Sequence, residues 1–137
     1  MEVVYLDGVT LSRQQIEHIV NGHANVQLAE SAKVRVLESR KRIERQLADG
    51  AVIYGVNTGF GQLSSIRIQE DDIELLQLNL LRSDATGVGE PFPIEIVRAM
   101  MVLRANALAR GFSGIRLETL ELLLSLINHQ VDRKSNV

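Results

Sequence analysis

Tyr54-Gly55-Val56-Asn57-Thr58-Gly59-Phe60-Gly61 divides a chain of 137 residues into two unlike parts. It follows the apolar run Ala51-Val52-Ile53 and precedes a long helical stretch. Its three glycines permit positive φ and let the backbone approach a ligand closely. Asn57 and Thr58 can bond their own backbone and shape the turn. Tyr54 stands at the mouth of the loop, where a proton-transfer group belongs, and is the candidate catalytic residue. Gly55, Asn57, Thr58, Gly59, Phe60 and Gly61 are expected to form a lid that moves over a small-molecule site.

Before the loop, Val3, Val4 and Tyr5 predict a short strand closed by a turn at Asp7-Gly8. Ser12 and Gln15 form the Ser-x-x-Gln pattern of a capping box. Ile16, Ile19 and Val20 then line one face of a short helix that Asn21-Gly22 stops. Residues from Val26 to Leu47 predict a longer helix ending at Asp49-Gly50. Its Lys33, Arg35, Arg40, Lys41, Arg42 and Arg45 alternate with Glu30, Glu38 and Glu44, as on a solvated face paired at helical spacing. A second short strand is expected over Ala51–Tyr54.

After the loop, Asp71 and Asp72 suit the positive end of a helix dipole. A helix through Ile73, Leu76 and Leu80 is expected to break at Gly87 and Gly89. Pro93 fits the first turn of a helix from about Ile94 to Arg110, stopped at Gly111. Ala99, Ala105, Ala107 and Ala109 let a neighbouring helix come close. Arg98, Arg104 and Asn106 would need partners if buried. The last helix, from Leu117 to Ile127, shows almost no polar side, as in a helix inside a larger bundle. Little sequence follows it, so either the protein assembles through it or the chain is the front of something longer. The expected fold is mainly α: residues 1–70 form an amino-terminal region with short strands and the tyrosine loop, and residues 71–137 begin a long-helix bundle.

The formal charge of −2 gives no basic face for nucleic acid, and the few aromatics, with no tryptophan, argue against stacking on bases. No stretch is long and apolar enough to span a bilayer. The sequence has no cysteine, which removes disulfides and thiolate chemistry and fits a reducing cytosol, so a cytoplasmic location is expected. His18 and His23 lie at the wrong spacing for one helix face, and His129 is distant in sequence, so no metal is expected. The glycine loop lacks the Gly-Lys-Ser/Thr ending of a phosphate loop and the order of the dinucleotide fingerprint. Nothing supplies a base beside Ser113. On local grounds Ser83-Asp84 reads as a helix end and turn.

Taken together, Tyr54–Gly61, Gly87-Val-Gly-Glu-Pro91, Val97-Arg-Ala-Met-Met-Val-Leu-Arg-Ala-Asn-Ala-Leu-Ala109 and Gly111-Phe-Ser-Gly114 resemble the aromatic amino acid ammonia-lyases, and most of all their histidine branch. The similarity runs from about Tyr5 to Val131. It implies elimination of ammonia from an amino acid, for the histidine enzymes to trans-urocanate. The departing proton sits on a weakly acidic β-carbon. The family meets this with a methylidene-imidazolone electrophile, formed by cyclisation of an internal Ala-Ser-Gly, and with a base that the resemblance places at Tyr54. A phenol ionises near pH 10 in water, so its site must make it more acidic to act near neutrality. The resemblance also implies a homotetramer with active sites shared between subunits, an amino-acid substrate, and no nucleic-acid or membrane partner.

Three departures stand out. The sequence holds no Ala-Ser-Gly, and in the family that triplet lies shortly beyond where this chain stops. Where the family usually carries histidine after the serine, near the substrate pocket, this chain has Ser83-Asp84. Asp84 there would either accept a hydrogen bond from an imidazole N–H or repel the substrate carboxylate. After Val131 the similarity fades, and Asp132 to Val137 reads as an unrelated ending of the kind a frameshift or early stop leaves. The expectation is therefore a histidine ammonia-lyase-like segment, inactive by itself. The alternatives are a segment of a tyrosine or phenylalanine ammonia-lyase or aminomutase, and a non-catalytic helical assembly module.

Overall fold

The computed structural model describes residues 2–63 and 68–131, so the polar ending at 132–137 lies outside the described residues. The order of elements is β1 (Glu2–Leu6), α1 (Arg13–Val20), β2 (Ala24–Leu28), α2 (Glu30–Ala48), α3 (Ile73–Asp84), α4 (Ile94–Ala109) and α5 (Leu117–Asn128). The mainly helical expectation holds. The chain separates into two compact units, one of Met1–Ile43 with Glu90–Val137 and one of Glu44–Gly89.

In the first unit, β1 and β2 pair in parallel, with Glu2 opposite Ala24 and Leu6 opposite Leu28. Alternation decides their faces: Val4 and Leu6, and Ala24, Val26 and Leu28, are buried. The crossover between them is α1, begun by the expected capping box. Gln15 N–H donates to Ser12 Oγ at 3.2 Å, and Ser12 N–H donates to Gln15 Oε1 at 2.9 Å. Ile19 of α1, Val36 of α2, Val102 of α4 and Leu120 of α5 complete one apolar core with the strands. The Asn128 side-chain amide holds β2 at its middle: Val26 N–H donates to its Oδ1 at 2.7 Å, and its Nδ2 donates to Val26 O at 2.9 Å.

Three expectations need correction. The long helix does not begin at Val26. Residues 24–28 alternate apolar and polar, pair with β1 and form a strand, and α2 starts at Glu30. No strand forms over 51–54. Residues 51–53 are irregular and a turn follows, because the local backbone groups bond to the Asn57 side chain rather than to a ladder. Nor is α5 apolar all round. Leu120, Leu124 and Ile127 form a single buried stripe covered by α4 and β2, which precede it in sequence, while Glu118 and Glu121 face outward.

Two polar residues on α4 find long-range partners. Arg98 donates to Val20 O at 3.2 Å and to Gln130 Oε1 at 3.3 Å, and Asn106 Oδ1 accepts from Gly8 N–H at 3.0 Å. Arg104 is exposed. The loop after β1 is drawn tight by Asp7. Its Oδ1 accepts from Val9 N–H and Thr10 N–H, each at 2.8 Å, and its Oδ2 accepts from Thr10 Oγ1 at 2.8 Å.

The Thr10 backbone N–H above all, then that of Val9 and the Thr10 hydroxyl, lowers the Asp7 pKa from 3.8 to about 2. The folded value lies below the unfolded one. Asp7 therefore adds stability at and above the ordinary carboxylate range, and that contribution is lost as pH falls toward about 2. Acid unfolding of Asp7→Asn, followed by circular dichroism, should depend less on pH in that window than unfolding of the wild type.

Candidate active site

Residues 51–60 form no helix or strand, with a single isolated bridge at Thr58, and lie in the second unit. A turn with so little pairing must satisfy most of its backbone groups another way. Here the side chains of Asn57 and Thr58 do so. Ile53 N–H donates to Asn57 Oδ1 at 2.8 Å, and Asn57 Nδ2 donates to Ala51 O at 2.9 Å. Val56 N–H and Asn57 N–H both donate to Ile53 O, at 3.1 and 3.2 Å, and Ile68 N–H donates to Asn57 O at 3.0 Å. Thr58 Oγ1 accepts from Gly55 N–H at 3.2 Å and donates to Gly59 O at 2.8 Å. Gly59 is buried, Asn57 is 6% exposed and Thr58 is 0% exposed, so both polar side chains are sealed inside the loop they close.

Tyr54 is 63% exposed at the head of this turn. Its ring meets the Phe60 ring edge-on, with centroids 6.1 Å apart and planes at 73°. That geometry suits the opposite charges of an aromatic face and edge. Gly55 takes φ +74°, a conformation that a side chain there would strain. Gly61 opens a short 3₁₀ turn, Gly61–Leu63. The result is an apolar ring pair with one phenolic hydroxyl at its exposed end.

Ser83 and Asp84 close the carboxyl end of α3 and are both exposed. Asp84 O accepts from Thr86 N–H at 2.9 Å, which makes the local reading of a helix end and turn correct in its geometry. Among the described residues, no hydrogen bond, ion pair or ring contact joins Tyr54 to Ser83 or Asp84. Two grooves on the surface involve none of these three residues. One of about 500 Å³ lies among β2, α2 and α5, and one of about 290 Å³ lies along α3 from Ile68 to Asn79.

The histidines are engaged locally. His18 Nδ1 lies 3.0 Å from Glu2 Oε2 and its ring meets that of His23 edge-on, while His129 Nδ1 lies 2.8 Å from Ser125 O. Among the described residues no group of three or more acidic or histidine side chains could hold a metal ion.

The electrophile implied by the resemblance requires Ala-Ser-Gly. The sequence has a single Ser-Gly, at Ser113-Gly114, and Phe112 precedes it. Gly114 is buried, its N–H donates to Ser39 Oγ at 3.1 Å, and its carbonyl accepts from Arg40 Nη1 at 3.4 Å. A tripeptide fastened to α2 in this way is not placed for ring closure. These residues do not fit the group.

Sequence reasoning identified Asn57 and Thr58 as turn-shaping residues. It named Asn106 only as needing a partner if buried and missed Ser39 and Asn128; all three bond distant backbone. Their partners lie 75, 98 and 102 residues away, and no local pattern marks such a bond.

The family model of the aromatic amino acid lyases matches residues 11–132. Over 127 residues the chain is 47% identical to histidine ammonia-lyase 2 of Fusobacterium nucleatum subsp. nucleatum, covering 93% of this chain and 25% of that protein. Its structure is similar to that of histidine ammonia-lyase from Trypanosoma cruzi, with a TM-score of 0.81 and 38% identity over 93% of this chain and 25% of the other. It is also similar to the ergothioneine-degrading enzyme ergothionase from Treponema denticola in complex with desmethyl-ergothioneine sulfonic acid. There the TM-score is 0.87 and the identity 29%, over 94% of this chain and 26% of the other. The chain thus spans about a quarter of the length of the curated relatives it matches.

Proposed function

The chain belongs to the aromatic amino acid lyase family, and from that premise we propose that it carries the proton-accepting part of a histidine ammonia-lyase. The proposed reaction of the complete protein converts L-histidine to trans-urocanate and ammonia. Tyr54 is the base. Its phenolate oxygen takes the β-proton, the C–H electron pair forms the new double bond, and the amine departs as the C–N bond breaks. Gly55 to Gly61 form the proposed lid that shields this step from water. Ser83 and Asp84 are proposed to line the substrate pocket. The electrophilic group of the family is not made by residues 1–137, and no step is assigned to it here.

The observation that carries the reading is the position of Tyr54. An exposed phenol stands at the head of a loop whose two polar side chains, Asn57 and Thr58, are buried and hydrogen-bonded to the loop's own backbone. Among the side chains of the loop it is thus the polar one that faces outward. Histidine is proposed as substrate because the Fusobacterium and Trypanosoma proteins are both histidine ammonia-lyases.

We further propose a homo-oligomer, a tetramer as in the family. Leu75, Leu78 and Leu81 of α3, and Ile96, Met100 and Leu103 of α4, leave apolar side chains exposed at helical spacing, as surfaces awaiting other helices do. The same faces favour the second reading, a non-catalytic assembly module.

Fusing residues 1–131 to the downstream three quarters of the Fusobacterium relative separates the two. The lyase reading predicts that the fusion forms urocanate from histidine, seen as growing ultraviolet absorbance, while the 137-residue chain alone forms none. A soluble, assembled fusion without turnover would leave the assembly reading standing.

A further inference from the structure

We propose that Asn57 and Thr58 are positioning residues for Tyr54, acting through hydrogen bonds within the loop rather than by contact with a substrate. This rests on the reading of Tyr54 as the base. Every polar group of Asn57 is used, three of them on backbone of residues 51–53. Its N–H goes to Ile53 O, its carbonyl takes Ile68 N–H, its Oδ1 takes Ile53 N–H and its Nδ2 goes to Ala51 O. The side-chain amide therefore brackets Tyr54 from the amino-terminal side, holding Ala51 and Ile53 in the segment that leads into it. The Thr58 hydroxyl brackets it from the other side by holding the Gly55 N–H and the Gly59 carbonyl. Neither side chain has a face toward solvent, since Asn57 is 6% and Thr58 0% exposed. Tyr54 itself makes no hydrogen bond among the described residues, and its one ring contact is with Phe60 from the same loop. The direction of the phenol is thus set by the turn beneath it, and the turn by these two side chains. A catalytic group held loosely loses rate when displaced by about 1 Å, so such a frame has a purpose beyond stability.

The test uses NMR on the 137-residue chain, which has two tyrosines, Tyr5 and Tyr54, so each ring is assigned simply. Amide exchange is read at Ile53 and Gly55, and the ring contact is read between Tyr54 and Phe60. In the wild type both amides should be protected and the contact present. Thr58→Val keeps the shape and removes the hydroxyl. It should speed exchange at Gly55 by about fivefold or more and weaken the ring contact. Thr58→Ser restores the hydroxyl and should behave as the wild type. Asn57→Ala should do to Ile53 what Thr58→Val does to Gly55. If both variants leave exchange and the ring contact unchanged, or if the Tyr5 signals move as much as those of Tyr54, the proposal is overturned. None of these readouts involves turnover, so a failure of Tyr54 as the base would be seen separately, in the kinetics of Tyr54→Phe.

Discussion

Tyr54→Phe, introduced into the active fusion, is expected to lower kcat by roughly 10²- to 10⁴-fold, the usual worth of a positioned general base. The substitution removes one oxygen and keeps the ring. The edge-on contact with Phe60 does not use that oxygen, so the loop should keep its shape. Tyr54 is exposed and the Asn57 and Thr58 bonds do not involve it, so stability should change by no more than about 0.5 kcal/mol. A base acts only as the proton leaves, so KM should move much less than kcat. Steady-state rates of urocanate formation decide the matter. A kcat within threefold of wild type would exclude Tyr54 as the base.

Gly111→Ala is expected to be the most damaging small substitution for the fold. Gly111 ends α4 with φ +77°, and a Cβ there would lie 2.7 Å from the Arg35 carbonyl carbon and 2.8 Å from its oxygen. Two penalties combine. A left-handed alanine costs about 1–2 kcal/mol, and forcing an atom into packed backbone costs about 1–3 kcal/mol. Arg35 cannot yield freely, because its guanidinium is bonded to Asp7 O at 2.6 Å and its backbone lies within α2. A loss of that combined size is a large part of the roughly 5–15 kcal/mol that holds a domain together. Gly50 is the matched control. It has φ +79° with nothing within 4 Å of the added Cβ, so Gly50→Ala should show the first penalty alone. Urea unfolding midpoints of the two variants should differ clearly, and equal midpoints would refute the close approach of Gly111 to α2.

The elements that depend on neighbours in sequence were readable in advance. The Ser12–Gln15 box, the Asn21-Gly22 stop, Pro93 before α4 and the irregular glycine loop after Gly55 all rest on contacts within a few residues. Two of the errors share one cause. Ala24–Leu28 is a strand because β1 lies beside it, and Ala51–Tyr54 is not one because Asn57 takes the groups that a ladder would use. In each case the decision belongs to a partner that the segment itself does not contain. The family was legible from four short motifs and agrees with the match over residues 11–132. Asn57 and Thr58 were legible as turn formers. Their burial and complete internal pairing follow only from the folded loop.

The Asn128 amide that grips Val26 has a consequence for solubility. A two-stranded sheet offers its outer rim to any extended peptide, and a second molecule can add on there strand by strand toward fibrils. By occupying both the donor and the acceptor of Val26, Asn128 plugs the middle of that rim on β2, where a newcomer would have to register. A single carboxamide on α5 thus closes the β2 side of this sheet to an added strand.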